Sequence, residues 1–222
     1  MLNEMISIKN PKSQAAEAFR TLRTNIQFSS LDEDIRTIVV TSTQPGEGKS
    51  TVISNLAVTM AQSGKKVLLI DCDLRKPTIH KKLGVSNQVG LTSILSKEKT
   101  MEEVIKAATI NNFYVLTSGP IPPNPAELLG SKKMKSFIEE LHGYFDVILF
   151  DAPPVLAVTD AQILSTFCNG VVFVAGYGQA EKDAMIRGKE HIEKVGGKIL
   201  GVVINKVPQN SRSYYYYNYD YK

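Results

Sequence analysis

Short apolar runs separated by helical patterns predict an α/β fold, a mostly parallel sheet with helices on both faces. The runs are residues 37–42, 66–70, 113–117, 147–150, 170–175 and 199–204. Most are unbroken rather than alternating, which is how strands covered on both faces read. The second observation is size. The chain has 222 residues, 43% hydrophobic and 22% charged, enough for one ordinary domain with a core that needs no disulfide or metal staple. The third is what is missing. No apolar run approaches the roughly 18–20 residues that span a bilayer. Residues 1–14 lack the basic-then-apolar order of a secretory leader. A cytoplasmic protein is expected, held at a membrane only by a partner.

In chain order, residues 1–11 read as irregular and end at Pro11. Ser13 is placed to cap a helix over 13–28. Ala15, Phe19, Leu22 and Ile26 form its apolar stripe, with Glu17, Arg20 and Arg23 on the opposite face. The first strand leads into a helix over 49–63 that is apolar nearly all round and stops at Gly64, a natural helix terminator. Thr100-Met-Glu-Glu103 is a capping box that opens a helix to about Ala108. Asn124-Pro125 starts another. Ala184, Gly188, Ile192 and Val195 are the stripe of the last long helix. Beyond Pro208 there is no Val, Ile or Leu. Six of the nine tyrosines (Tyr214, Tyr215, Tyr216, Tyr217, Tyr219 and Tyr221) fill the last nine residues. No core element has that composition, so 208–222 reads as a mobile tail.

Net charge is +4, from 26 basic and 22 acidic residues. That is too mild to demand nucleic acid, though it permits a phosphate-rich ligand. Lys132, Lys133 and Lys135, weighed as a nucleic-acid surface, read as a solvated helix face. Cys72 and Cys168 lack metal-site spacing and read as reduced, buried thiols.

The chemistry concentrates between the first strand and the first long helix. Thr43-Gln-Pro-Gly-Glu-Gly48-Lys49-Ser50 matches the phosphate-loop pattern G-x-x-x-x-G-K-[ST] except at its first position, where Thr43 replaces Gly. Gly46 and Gly48 let successive N–H groups face a phosphate, and the helix N-terminus adds about half a positive charge. Lys49 reaches the β- and γ-phosphates, Ser50 offers its hydroxyl to Mg²⁺, and Thr51 is placed at the α-phosphate. Gly46, Glu47, Gly48, Lys49, Ser50 and Thr51 are therefore the expected nucleotide contacts. Asp151 closes the strand Val147-Ile-Leu-Phe150, the position that holds Mg²⁺ directly or through water. Asp71 and Asp73, two apart at a strand end, are expected on one face, completing a carboxylate set around the cation, or are turn residues at the strand exit. Arg75 and Lys76 contact phosphate or a neighbouring subunit, or form a solvated turn. Asn205, ending the last strand, reads the base or simply ends the strand.

Together these residues resemble the bacterial tyrosine kinases of capsule and exopolysaccharide synthesis, over nearly the whole chain. The Walker A stretch is Gln44-Pro45-Gly46-Glu47-Gly48-Lys49-Ser50, and Walker A′ is Leu69-Ile70-Asp71-Cys72-Asp73-Leu74-Arg75. Walker B is Ile148-Leu-Phe-Asp151-Ala-Pro-Pro154. Gly119-Pro-Ile-Pro-Pro-Asn-Pro-Ala-Glu-Leu-Leu129, Glu17-x-x-Arg20-x-x-Arg23 and the tyrosine tail also match. The resemblance implies a P-loop NTPase three-layer α/β/α sandwich, related to the MinD/ParA ATPases, as one kinase domain over 1–222. It implies ATP and Mg²⁺ as cofactors, with Lys49, Asp71 and Asp73 catalytic, Asp71 accepting the tyrosine proton, and Ser50, Asp71, Asp73 and Asp151 at the metal. The tail tyrosines would be phosphorylated in trans, and Glu17, Arg20 and Arg23 would join subunits into a ring. Implied partners are a transmembrane activator of the polysaccharide co-polymerase type, which recruits the chain to the inner face of the membrane, a protein-tyrosine phosphatase, and protein substrates of sugar-polymer synthesis. No nucleic acid is expected. The alternative is a MinD/ParA-like assembly switch without kinase activity. Those ATPases carry a second lysine early in the loop, where this chain has Gln44, and a switch has no use for clustered tyrosines.

Overall fold

The computed structural model describes residues 5–29 and 34–208. Seven strands form one sheet: β1 (Thr37–Ser42), β2 (Val67–Asp71), β3 (Lys106–Ala107), β4 (Phe113–Leu116), β5 (Val147–Asp151), β6 (Gly170–Gly176) and β7 (Ile199–Asn205). Their order is β3-β4-β2-β5-β1-β6-β7. Every pairing is parallel except the short β3 against β4. Successive residues of the central strands feed opposite layers, as the pleat requires. Val39, Leu68, Ile70, Ile148, Phe150 and Phe173 face one core, with α8 (Lys132–Leu141), α9 (Asp160–Ser165) and α10 (Lys182–Glu193). Ile38, Val40, Val67, Leu69 and Leu149 face the other, under α3 (Lys49–Gln62), with α2 (Gln14–Gln27) packed outside it.

The strand and helix sequence follows the expectation, with local departures. Within 1–11, where irregular chain is expected, α1 (Ile6–Lys9) forms, anchored by Ser7 N–H on Asn55 Oδ1 at 3.1 Å. In α2 the Ser13 hydroxyl accepts from Ala16 N–H, yet Ala15 is exposed and Ala16 takes its place in the core. The helix begun by the Thr100 capping box stops at Val104, not Ala108, because Lys106 and Ala107 pair with Val115 and Tyr114. Short helices α4 (Ile79–Leu83), α5 (Leu91–Leu95), α6 (Met101–Val104) and α7 (Pro125–Leu129) fill the connections. Val195 lies past the end of α10 and is exposed. The edge strand β7 is covered on only one side, leaving Val202 and Ile204 more than half exposed. Cys72 is buried and Cys168 half-buried, both as free thiols. Of the three lysines, Lys133 donates to Leu95 O and Lys135 lies over the Phe167 ring. Among the described residues no helix is long and apolar enough to cross a membrane. Apart from Pro208, the tyrosine tail lies outside the described residues.

Candidate active site

The carboxyl ends of β1, β2 and β5 converge, as parallel sheets of this kind require of a ligand site. Leaving β1, the loop over 43–48 bends at Gly46 (φ +86°) and Gly48 (φ +97°). Gly48 is needed twice over, since a Cβ there would also fall 2.0 Å from Asn205 Nδ2. Glu47 explains how Thr43 can stand where the pattern has Gly. Its buried carboxylate accepts from Thr43 N–H (2.9 Å), Thr43 Oγ1, Gln44 N–H (2.8 Å) and Gly176 N–H (3.2 Å). The Glu47 side chain thus holds the loop from beneath, leaving its backbone for a phosphate.

From the far edge, β7 supports the same loop. Asn205 Nδ2 donates to Glu47 O (2.8 Å) and Lys206 Nζ to Gly46 O (2.6 Å). Two neighbouring carbonyls are held outward, so the intervening N–H groups turn inward. Lys206 carries this contact from a left-handed backbone (φ +61°).

Lys49, opening α3, points across the loop mouth. Its Nζ lies 3.0 Å from Asp73 Oδ2 and 3.9 Å from Asp151 Oδ1. Burial pulls its pKa down, but the charges of Asp151 and Asp73 outweigh that and raise it, so the ammonium form persists. Asp151 is fully buried, and no donor meets either oxygen in good hydrogen-bond geometry. Burial drives its pKa up against the pull of Lys49 and the adjacent Ser50 hydroxyl.

Asp71 and Asp73 do not share a strand face as expected, because β2 ends at Asp71 and the chain turns. Asp71 is wholly buried. Its Oδ1 accepts from Asp73 N–H, and its Oδ2 from Thr78 and Ile79 N–H, at 3.0–3.2 Å. It is the keystone of the turn, and burial together with the Asp151 charge raises its pKa. Thr78 Oγ1 in turn donates to Ser50 Oγ (3.0 Å), and Lys82 Nζ to Thr51 Oγ1 (2.8 Å). Arg75, expected at a phosphate, a neighbouring subunit or a solvated turn, instead pairs with buried Asp160. The pair is two-pronged, both bonds 3.1 Å, and ties the turn after β2 to the segment after β5.

Among the described residues no three His, Cys, Asp or Glu side chains group as a metal cage. The donor set fits Mg²⁺ nonetheless. That ion keeps several waters and takes one or two protein ligands besides phosphate oxygens, and the buried carboxylate of Asp151, beside the Ser50 hydroxyl, is suited to it.

A family model described as an AAA domain matches residues 35–180. The chain is 48% identical over 218 residues to the tyrosine-protein kinase YwqD of Bacillus subtilis, covering 97% of this chain and 92% of that one. The kinase domain of the Escherichia coli tyrosine kinase ETK superimposes with TM-score 0.89 at 33% identity, over 97% of this chain and 84% of that one. The crystal structure of the chimerical protein CapA2B2 gives TM-score 0.89 at 44% identity, over 92% and 90%. This chain belongs to the bacterial tyrosine kinases.

For a bacterial tyrosine kinase, the sequence-predicted site residues divide by what their side chains bond, although Asp71 still feels the charges of Asp151 and Asp73. Lys49, Ser50, Asp73 and Asp151 meet at the loop mouth, whereas the side chains of Glu47, Asp71 and Asn205 are engaged in holding loops. Glu17, Arg20 and Arg23 sit on α2, apart from this site. Arg20 bonds Glu17 and Pro11 O. Arg23 is half-buried and donates to Thr59 O (3.1 Å), so it is not on a purely solvated face. Four supporting residues are not evident from the sequence: Thr78, Lys82, Asp160 and the loop-holding Lys206. Only Lys206, adjoining Asn205, carries any positional signal.

Proposed function

We propose that the chain transfers the γ-phosphoryl group of ATP to the tyrosines at 214–221 of a second copy, and so regulates capsular or exopolysaccharide synthesis. One observation carries the reading: Lys49 is held between Asp73 and Asp151 at the mouth of a phosphate loop, in a chain that ends in clustered tyrosines. A tyrosine hydroxyl has a pKa near 10 and is a weak nucleophile at neutral pH. Transfer therefore depends on positioning and charge neutralisation. The loop N–H groups and Lys49, released from Asp73, hold the β- and γ-phosphates. Ser50, Asp151 and Asp73 would hold Mg²⁺, which when bound would supply the remaining charge neutralisation. The bond from γ-phosphorus to the ADP oxygen breaks as the tyrosine oxygen bonds to phosphorus, and the hydroxyl proton leaves to a carboxylate. Asp71 is the proposed acceptor of that proton, since its three N–H contacts leave one of a carboxylate's four lone-pair sites on Oδ1; it also holds Asp73 in place. Asn205, held beside the loop by its bond to Glu47 O, is the proposed base contact.

The same proposal includes a ring of subunits joined through Glu17, Arg20 and Arg23, and a transmembrane activator that brings the chain to the inner face of the membrane. It also includes a protein-tyrosine phosphatase that resets it and external substrates in sugar-polymer synthesis. A pure assembly switch is disfavoured because Gln44, exposed at the second-lysine position, offers no cationic side chain there; its backbone N–H donates to Glu47 and its carbonyl accepts from Ser42 Oγ. The test is to incubate the chain with Mg-ATP, with and without a candidate activator peptide, and map phosphotyrosine by mass spectrometry. Phosphate on the tail is expected, lost in Lys49→Met and in the sixfold Tyr→Phe variant. ATP consumed with no phosphotyrosine formed would overturn the reading.

A further inference from the structure

The loop after β4 is built with unusual care for a segment whose tip is bare. Leu91 and Thr92 N–H donate to Thr117 and Ser118 O (2.8 and 2.9 Å), like a short extra ladder. Asn87 clamps the next residue from both sides. Its Oδ1 accepts from Gly119 N–H (2.9 Å) and Ser118 Oγ, and its Nδ2 donates to Gly119 O (3.1 Å). Thr92 Oγ1 adds a bond to Pro120 O (3.0 Å). The two backbones run so close that a Cβ on Gly90 would lie 2.1 Å from Gly119 N, and Gly119 itself needs φ +80°. Pro122, Pro123 and Pro125 stiffen the rest of the loop, since each fixes its own φ.

This clamp holds out Ile121, 65% exposed, between exposed Pro120 and Pro123. A lone exposed isoleucine needs no explanation. One flanked by prolines on a loop held by this many hydrogen bonds is a preorganised apolar surface. Its place in the sheet says what it faces. Leu116 lies opposite Ile70, so the loop leaves the sheet beside the Asp71–Asp73 turn, one strand spacing (about 5 Å) away. β7, with Asn205, lies at the other edge. The phosphate loop is between them.

We propose that the lip Pro120–Pro123, centred on Ile121, is the docking surface for the acceptor segment, and that its occupant is the tyrosine-rich 214–221 stretch of a second copy. This rests on the kinase reading above. The chemistry matches: proline and isoleucine surfaces pack against flat aromatic rings, and six of the eight residues in that stretch are tyrosine. The length outside the structure limits the chain's own tail only in part. Pro208 follows β7 at the far edge of the sheet, so the chain's own lip lies about five strand spacings, roughly 24 Å, away. Six extended residues reach at most about 20–22 Å, so Tyr214 falls short of its own lip, whereas the thirteen to Tyr221 reach at most about 43–47 Å. Reach excludes only the first tyrosines in cis, and the second copy is chosen on the transfer in trans proposed above. A neighbour's tail carries no such restriction.

The test separates enzyme from acceptor. The enzyme is the full chain with its six tail tyrosines changed to Phe; the acceptor is the full-length Lys49→Met chain. Ile121→Ser in the enzyme is expected to raise the KM for the acceptor about tenfold, equivalent to about 1.4 kcal/mol, leaving the KM for ATP unchanged. Ile121→Leu should restore it, and Ile121→Ser in the acceptor should do nothing. An unchanged acceptor KM, or a loss confined to kcat, would overturn the docking assignment. No transfer by the enzyme with Ile121 intact would instead remove the kinase reading.

Discussion

Asp151 keeps a carboxylate in the core, where the Lys49 charge and the Ser50 hydroxyl only partly offset burial, and that has a sign. Its pKa is raised to about 6, first by burial, above the ordinary value near 4. The folded state therefore holds a proton that the unfolded chain has released. Stability of the metal-free protein should fall as pH rises from about 4 through 6, the reverse of a salt-bridged carboxylate. Asp151→Asn should flatten that fall and, at pH 7, raise the melting temperature by the equivalent of roughly 1–3 kcal/mol. It should also lose the stabilisation that Mg-ADP gives the parent. Calorimetry between pH 4 and 8, with and without Mg-ADP, checks both; a destabilised Asn variant at pH 7 would contradict the account. Glu47 is the opposite case, a carboxylate whose bonds are all made. Glu47→Ala strands three backbone donors, so a loss of at least about 2 kcal/mol and weakened nucleotide binding are expected in denaturant melts and nucleotide titrations. At this scale the sequence is partly legible. The G-K-S spacing identifies the loop because phosphate cradles need those residue types. For Asp71 a turn role at the strand exit is legible but its partners are not, because the three N–H groups come together only once the turn over 73–79 has folded.

At the scale of elements, α2 shows how periodicity locates a helix but misplaces a face. Spacing of about 100° per residue puts Arg23 with Glu17 and Arg20 on the outside, yet Arg23 turns inward to Thr59 O on α3, with its Nε buried. An arginine stem can lie along an apolar surface and carry its head to a distant carbonyl, which a helical wheel does not register. The predicted outcomes therefore split. Glu17→Ala with Arg20→Ala should leave thermal stability within about 0.5 kcal/mol while weakening assembly. Arg23→Ala should cost roughly 1–2 kcal/mol through the lost hydrogen bond and packing. Melting curves and light scattering on both variants decide; equal stability in all would place Arg23 outside the core after all. The shortened helix at 101–104 has a similar origin. Its capping box marks the start well, but its end is set by β4 recruiting Lys106 and Ala107, a contact invisible to local spacing.

At the scale of the whole molecule, apolar runs announce a parallel sheet, but strand order has to come from the folded chain. That order puts the tail's root at one edge and the lip of Ile121 near the other, which makes a ring of copies a way to feed each tail to a neighbour. Charge then sets a limit on the ring. The chain carries +4. Each phosphotyrosine adds about −1.5 to −2, so six add about −9 to −12 and bring the net charge to about −5 to −8. Subunits that were mildly basic become clearly acidic, with the new charge concentrated in the segment that must approach Asp73 and Asp151. Mutual repulsion across subunits and repulsion at the site act in the same direction, and both are screened by salt. The unphosphorylated chain is expected to form a closed oligomer at high concentration and to dissociate as tail phosphate accumulates under Mg-ATP. Raising ionic strength should partly restore it, and the sixfold Tyr→Phe variant should stay assembled throughout. Light scattering followed over the course of phosphorylation reads this out. A fully phosphorylated chain that keeps the oligomer mass of the unmodified one would show that the tail's charge does not control assembly.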